Sequence, residues 1–139
     1  WLHEDALRAS HPVFSAAPEA SASVFVWDDA YLKQANYSLK RLVFLYETVC
    51  ELPITIIRGA TLEVLSNHVA TQLYVPCSVN PWINSLCTQL SAVKNVIRIE
   101  DEPFARLKGN AEFKRFFPYW KKAEKSAFMV NGGVDAKGN

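Results

Sequence analysis

Residues able to do chemistry are few and scattered in this chain. The histidines are His3, His11 and His68, and the cysteines are Cys50, Cys77 and Cys87. Zinc-type ligation needs such residues in tight clusters, and neither the His3–His11 separation nor Cys77-x9-Cys87 supplies one, so no metal site is expected. The G-x-S-x-G turn that exposes a nucleophilic serine is absent. So are G-x-G-x-x-G and G-x-x-x-x-G-K-[ST], and three of the five glycines lie beyond Met129, so no phosphate-cradling turn of that kind is expected. Cys77 and Asp28-Asp29 each follow a short apolar run, where α/β proteins place ligands. The commoner use of a small thiol there is packing a tight turn, and of an aspartate there capping the next helix. No catalytic residue emerges.

Those positions are set by elements that the hydrophobic pattern marks out. Val24-Phe25-Val26-Trp27 is a continuous apolar run ended by two aspartates, the signature of a strand buried on both faces. From Ser38 the period changes, with Leu39, Leu42, Val43, Leu45, Tyr46 and Val49 predicting one apolar stripe of a helix stopped by Pro53. Ile54–Ile57 predicts a second strand, Thr61 could cap a second helix, and Leu73–Val75 predicts a third strand. Asn80-Pro81 is a strong helix start, because asparagine caps and proline is pre-shaped for the first helical position. That helix carries Trp82, Ile83, Leu86 and Leu90 to about Ala92, and Val96–Ile99 predicts a fourth strand. Strands alternating with helices require crossovers, hence a parallel sheet with helices on its faces. The expected fold class is α/β. Two loops, Leu2–Asp5 and Pro76–Trp82, could meet beyond the strands' carboxyl ends, where such sheets bind ligands.

Composition agrees with one globular domain. Of 139 residues, 50% are hydrophobic and 21% charged, and 15 Lys+Arg against 14 Asp+Glu leave a net charge of +1. No global basic field argues for nucleic acid. No apolar run is long enough to span a membrane, and WLHEDALR lacks the layout of a signal peptide. Three scattered cysteines suggest a reducing compartment, the cytoplasm or an organelle stroma.

Residues 1–103 are read as the α/β domain, 104–128 as an aromatic and basic segment, and 129–139 as a flexible tail. In 104–128, aromatic residues including Phe113, Phe116, Phe117, Tyr119 and Trp120 alternate with lysines and arginines. Stacking on a nucleic-acid strand, lying on a membrane and docking a protein all fit that composition. Docking is favoured, because Pro118 is expected to break any long amphipathic helix.

The order of motifs resembles the photolyase/cryptochrome family. Trp1, Asp5 and Pro12 fall at the spacing of that family's opening, and Val24–Asp28 resembles its second strand. Ser38-x-x-Arg41-x-x-Phe44-Leu45 resembles its first helix, Arg58-Gly59 with Leu62, Val64 and Leu65 a following segment, and Phe113–Trp120 the exit from the domain. The resemblance covers residues 1–125 in collinear order. It implies the family's N-terminal domain: a Rossmann-like, open, mostly parallel five-stranded sheet with helices on both faces, its first strand truncated at Trp1. That domain holds an antenna chromophore (a folate, a deazaflavin or a flavin), whereas FAD belongs to a separate helical domain and is not expected on this chain.

Asp28 and Arg41 match the family's chromophore pocket, and His3 and Trp82 stand at positions that surround the cofactor in relatives. The implied partner is a helical FAD domain, or another protein, engaged through residues 104–128. The first expectation is therefore a non-catalytic antenna domain. The alternative is a stand-alone interaction or assembly subunit without a cofactor.

Overall fold

The computed structural model describes residues 1–19, 21–103 and 116–127. The chain divides into two units, 1–101 and 102–139. The first unit contains α1 (Val13–Ala16), β1 (Val24–Trp27), α2 (Asp29–Gln34), α3 (Leu39–Cys50), β2 (Thr55–Arg58), α4 (Thr61–Asn67), β3 (Gln72–Pro76), α5 (Pro81–Leu90) and β4 (Asn95–Ile99). The described part of the second is α6 (Phe116–Ala127). Phe113 and the tail 129–139 lie outside the described residues.

The four predicted strands all form, and the protein is a mixed α/β fold. Its strands pair in parallel, β1 with β2 from Val24↔Thr55 to Trp27↔Arg58, and β3 with β4 from Gln72↔Asn95 to Pro76↔Ile99. The expected five-stranded sheet is corrected to two two-stranded pairs. The segment 1–3 forms no strand of its own. It makes a single parallel bridge, Leu2↔Phe25. Leu2 N donates to Val24 O at 2.9 Å, and the Trp1 amino group donates to Tyr74 O at 2.9 Å.

Alternation along β1 sends its side chains to two cores. Val24 and Val26 pack with Leu65 of α4, Leu73 and Val75 of β3, and Ile83, Leu86 and Leu90 of α5. Phe25 faces the other way, onto Tyr31 and Leu32 of α2 and Leu45 and Val49 of α3. Helices thus cover both faces of β1. Each aliphatic side chain so buried contributes about 1.5–3 kcal/mol, which is why a four-residue strand can anchor two layers.

Local chemistry explains the helix starts. Ser38 Oγ accepts from Arg41 N (3.3 Å) at the head of α3, and Asn80 Oδ1 accepts from Trp82 N (3.0 Å) at the head of α5, with Pro81 in the first turn. Thr61 is not the cap of α4. Ala60 precedes that helix and offers no side-chain acceptor, so Asp28 serves instead, accepting from Thr61 N at 2.8 Å. The six residues of α2 are too few to display a periodic stripe, and only the Asp28 cap marks its start.

Two further expectations change. Pro118 does not break α6, because it sits in the first turn, where a missing N–H leaves no hydrogen bond unmade. The single stripe predicted for α3 is really two. Leu45 and Val49 are buried and Leu42 half-buried, whereas Leu39, Val43 and Tyr46 are exposed (76%, 46% and 53%). Among the described residues no helix is long and apolar enough to cross a membrane.

Candidate functional site

The carboxyl ends of β1 and β3 and the segment after His3 converge on one polar cluster. Its base is His3, buried to 1% exposure, whose Nε2 donates to Pro76 O at 3.0 Å. Burial depresses the imidazole's pKa and outweighs both the Pro76 carbonyl and the nearby Asp5 and Glu4 charges. The ring is therefore neutral near pH 7, with Nδ1 buried and unbonded among the described residues. Its edge meets the Trp1 ring at 5.7 Å.

Above it stands Tyr31, presented by α2. Its hydroxyl donates to Glu4, lies 3.4 Å from the Tyr37 hydroxyl, and accepts from Asn80 Nδ2 at 3.2 Å. Tyr37 also reaches Glu4 at 3.4 Å. Burial first, then the Glu4 carboxylate, push the Tyr31 pKa far up, so this phenol is a permanent donor rather than a base. The Trp82 indole lies flat on the Tyr31 ring, centroids 3.5 Å apart and planes within 14°. Ser78 closes the rim, donating to Asp5 and accepting from Asn80 N at 2.9 Å. On the outer side the Arg41 guanidinium lies 5.8 Å from the Tyr37 ring centroid and 5.7 Å from that of Phe44.

The two loops expected to meet, Leu2–Asp5 and Pro76–Trp82, are joined by the His3–Pro76, Asp5–Ser78 and Glu4–Tyr31–Asn80 contacts. Of the sequence-predicted residues, His3, Trp82 and Arg41 all border this cluster. Asp28 lies beneath it with both carboxylate oxygens engaged, Oδ1 by Tyr31 N (3.1 Å) and Oδ2 by Thr61 N (2.8 Å) and Thr61 Oγ1 (3.0 Å). The sequence reading places Glu4 and Asn80 in the two meeting loops but does not single out Tyr31 and Tyr37, which join them. One signal was available: Asp28 is placed to cap a helix whose first turn carries Tyr31.

Chemically the cluster is a set of stacking and hydrogen-bonding groups. A stacked indole and phenol form an aromatic shelf, with a carboxylate, an amide and a guanidinium around it. Of the thiols, Cys77 is exposed on the Pro76–Trp82 loop itself and Cys87 is buried, and burial raises the Cys87 pKa. Among the described residues no three His, Cys, Asp or Glu side chains gather as a metal site would need. A separate cavity of about 500 Å³ opens at the opposite, amino ends of β1 and β3, lined by Trp1, Val13, Phe14, Val24, Leu73 and Tyr74 among others.

On α6, Phe116 and Phe117 are exposed (64% and 74%), their rings 5.7 Å apart, and Phe116 stacks with Trp120 at 6.0 Å. Tyr119 belongs to the same helix.

The fold and the cluster define a mixed α/β domain with a polar-rimmed aromatic crest. Comparison with protein-family models, with curated proteins and with solved structures finds no match for the chain.

Proposed function

We propose that this chain is a non-catalytic, photolyase/cryptochrome-like α/β domain whose crest holds a planar antenna chromophore of the folate, deazaflavin or flavin type. The observation that carries the proposal is the meeting of the Leu2–Asp5 and Pro76–Trp82 loops around the Tyr31–Trp82 stack. An α/β sheet binds ligands beyond its strands' carboxyl ends, where the strand order reverses. In this reading the Trp1–His3 segment lies between the two parallel pairs, in the order β2–β1–(1–3)–β3–β4. The bonds from Leu2 N to Val24 O and from the Trp1 amino group to Tyr74 O support that order. It puts the reversal between residues 1–3 and β3, directly under the crest.

Each rim residue then has a role. Trp82 and Tyr31 provide a stacking surface, Glu4 accepts from ring N–H groups, and Arg41 meets an anionic tail. Titration of the chain with a reduced folate, a deazaflavin and FMN, followed by ligand fluorescence and tryptophan quenching, tests this. Saturable binding that Trp82→Ala and Arg41→Glu each weaken is the expected result. Absence of binding by all three ligand types overturns it.

A second reading has its own observation. Trp82 already covers Tyr31 as a flat heterocycle would, so the shelf is filled by the chain itself. The chain would then be an interaction subunit, with Phe116 and Phe117 as docking residues. Under this reading Trp82→Ala costs stability and changes no ligand binding.

A further inference from the structure

From the outer face of α3 we infer that two copies of this chain pair through that helix, antiparallel and about a two-fold axis. At 100° per residue, Leu39, Val43, Tyr46 and Cys50 fall within about 60° of one another, at the four–three–four spacing of a coiled-coil seam. Leu42, Leu45 and Val49 form a separate strip about 90–100° further round, which the core takes up. Of the first strip, Tyr46 touches the fold, edge-on to Trp27 at 5.7 Å, and the strip's outer surface stays open. Leu39, Val43 and Tyr46 are 76%, 46% and 53% exposed, and Cys50 is exposed as well.

Charge identifies the occupant. The exposed cations Lys40 and Arg41 stand in the first turn of α3, and the exposed anions Glu47 and Glu51 stand at its end. No acid occupies the first turn and no base the last. Both groups thus sit at the end of the helix dipole that disfavours them, where an isolated helix would carry the reverse pattern. Among the described residues neither Lys40 nor Glu47 belongs to an ion pair.

A second α3 running the opposite way resolves both problems. It lays Lys40 against Glu47 of the partner subunit, and Glu47 against the partner's Lys40. It also aligns the two helix dipoles head to tail and closes the Leu39–Cys50 strip on itself. A parallel pair would oppose Lys40 to Lys40 and Glu47 to Glu47. The contact is isologous and closes at two copies. A helix of 12 residues is only about 18 Å long, so the interface lies at the small, weakly associating end of specific contacts.

Sedimentation equilibrium of the full chain, to roughly millimolar concentration, should show a reversible monomer–dimer equilibrium. Lys40→Glu and Glu47→Lys should each weaken it about tenfold, since two symmetric pairs turn repulsive. An equimolar mixture of these two variants should associate like the unaltered chain, because every cross-pair is again opposite in sign. Circular dichroism of each variant confirms that both substitutions, being on exposed residues, leave the helix intact. An unaltered chain that stays monomeric throughout overturns the inference. So do charge reversals that leave the equilibrium unchanged, or a mixture no better than the single variants.

Discussion

Asp28→Ala is the perturbation whose cost can be worked most directly from the structure. The Asp28 side chain is the acceptor for three donors, Tyr31 N, Thr61 N and Thr61 Oγ1. Removing the cap on α2 costs about 0.5–2 kcal/mol. The Thr61 donors are then stranded at a residue only 1% exposed, and a buried donor without a partner costs about 1–3 kcal/mol. The sum is about 3–4 kcal/mol once overlap is allowed for, a large part of the 5–15 kcal/mol typical of a domain. Asp28→Asn keeps one acceptor oxygen and should cost roughly half as much. Thr61→Val removes only the hydroxyl. It should cost about 1 kcal/mol in the unaltered chain and be neutral to stabilising in the Asp28→Ala background, where it removes a donor already stranded. Urea unfolding followed by tryptophan fluorescence gives each value, with an unchanged denaturant slope as the check that compactness is preserved. The reasoning fails if Asp28→Ala stays within about 0.5 kcal/mol of the unaltered chain, or if Thr61→Val costs the same in both backgrounds. A cofactor-binding aspartate would show the reverse pattern, with binding lost and stability kept.

Three other outcomes are expected. Because burial depresses the His3 pKa below its unfolded value of about 6.5, the neutral ring is the folded form, and stability is fully present above that pH and falls as the pH drops below it. His11, also depressed by burial, adds in the same direction, and thermal midpoints from about pH 7.5 to about pH 5 should fall less steeply in His3→Gln. Leu90→Ala, at a fully buried position of α5, should cost about 2–5 kcal/mol in the same urea assay, and a loss under about 1 kcal/mol would refute its placement in the core. Tyr31→Phe strips Glu4 and Asn80 of a shared partner and should cost about 1–2 kcal/mol. In the unaltered chain the Tyr31 phenol should ionise only above the ordinary tyrosine range in an alkaline absorbance titration, a late step that Tyr31→Phe removes.

Much of the layout is legible in the residues because local chemistry fixes it. Val24–Trp27 reads as a strand buried on both faces and serves two cores, and Asn80-Pro81 reads as a helix start and is one. Ser38 caps as its spacing implies. What stays hidden depends on contacts distant in sequence. The cap of α4 arrives from Asp28, 33 positions upstream, so no local signal at Ala60 or Thr61 could announce it. The crest is legible only as the meeting of the Leu2–Asp5 and Pro76–Trp82 loops, and its partners are hidden for the same reason. Glu4, Tyr31 and Asn80 share one hydroxyl only after β1 and β3 have brought their loops together, and none carries a spacing motif.

α3 shows why a correct element can still be misread. Hydrophobic periodicity says which residues share a face, yet Leu39, Leu42, Val43, Leu45, Tyr46 and Val49 spread over about 160° of helix, wider than one buried stripe needs. Such a width is compatible with a single deep interface or with two shallow ones, and hydrophobicity alone does not choose. Charge does choose. A helix meeting only its own core would gain from acids in its first turn and bases in its last, and Lys40, Arg41, Glu47 and Glu51 are placed the other way round. That inversion is visible in the bare sequence once the helix ends are known. It gains meaning only when Leu39, Val43 and Tyr46 are found outside the core, because then the same surface carries an apolar seam and the charges that suit an antiparallel copy of itself.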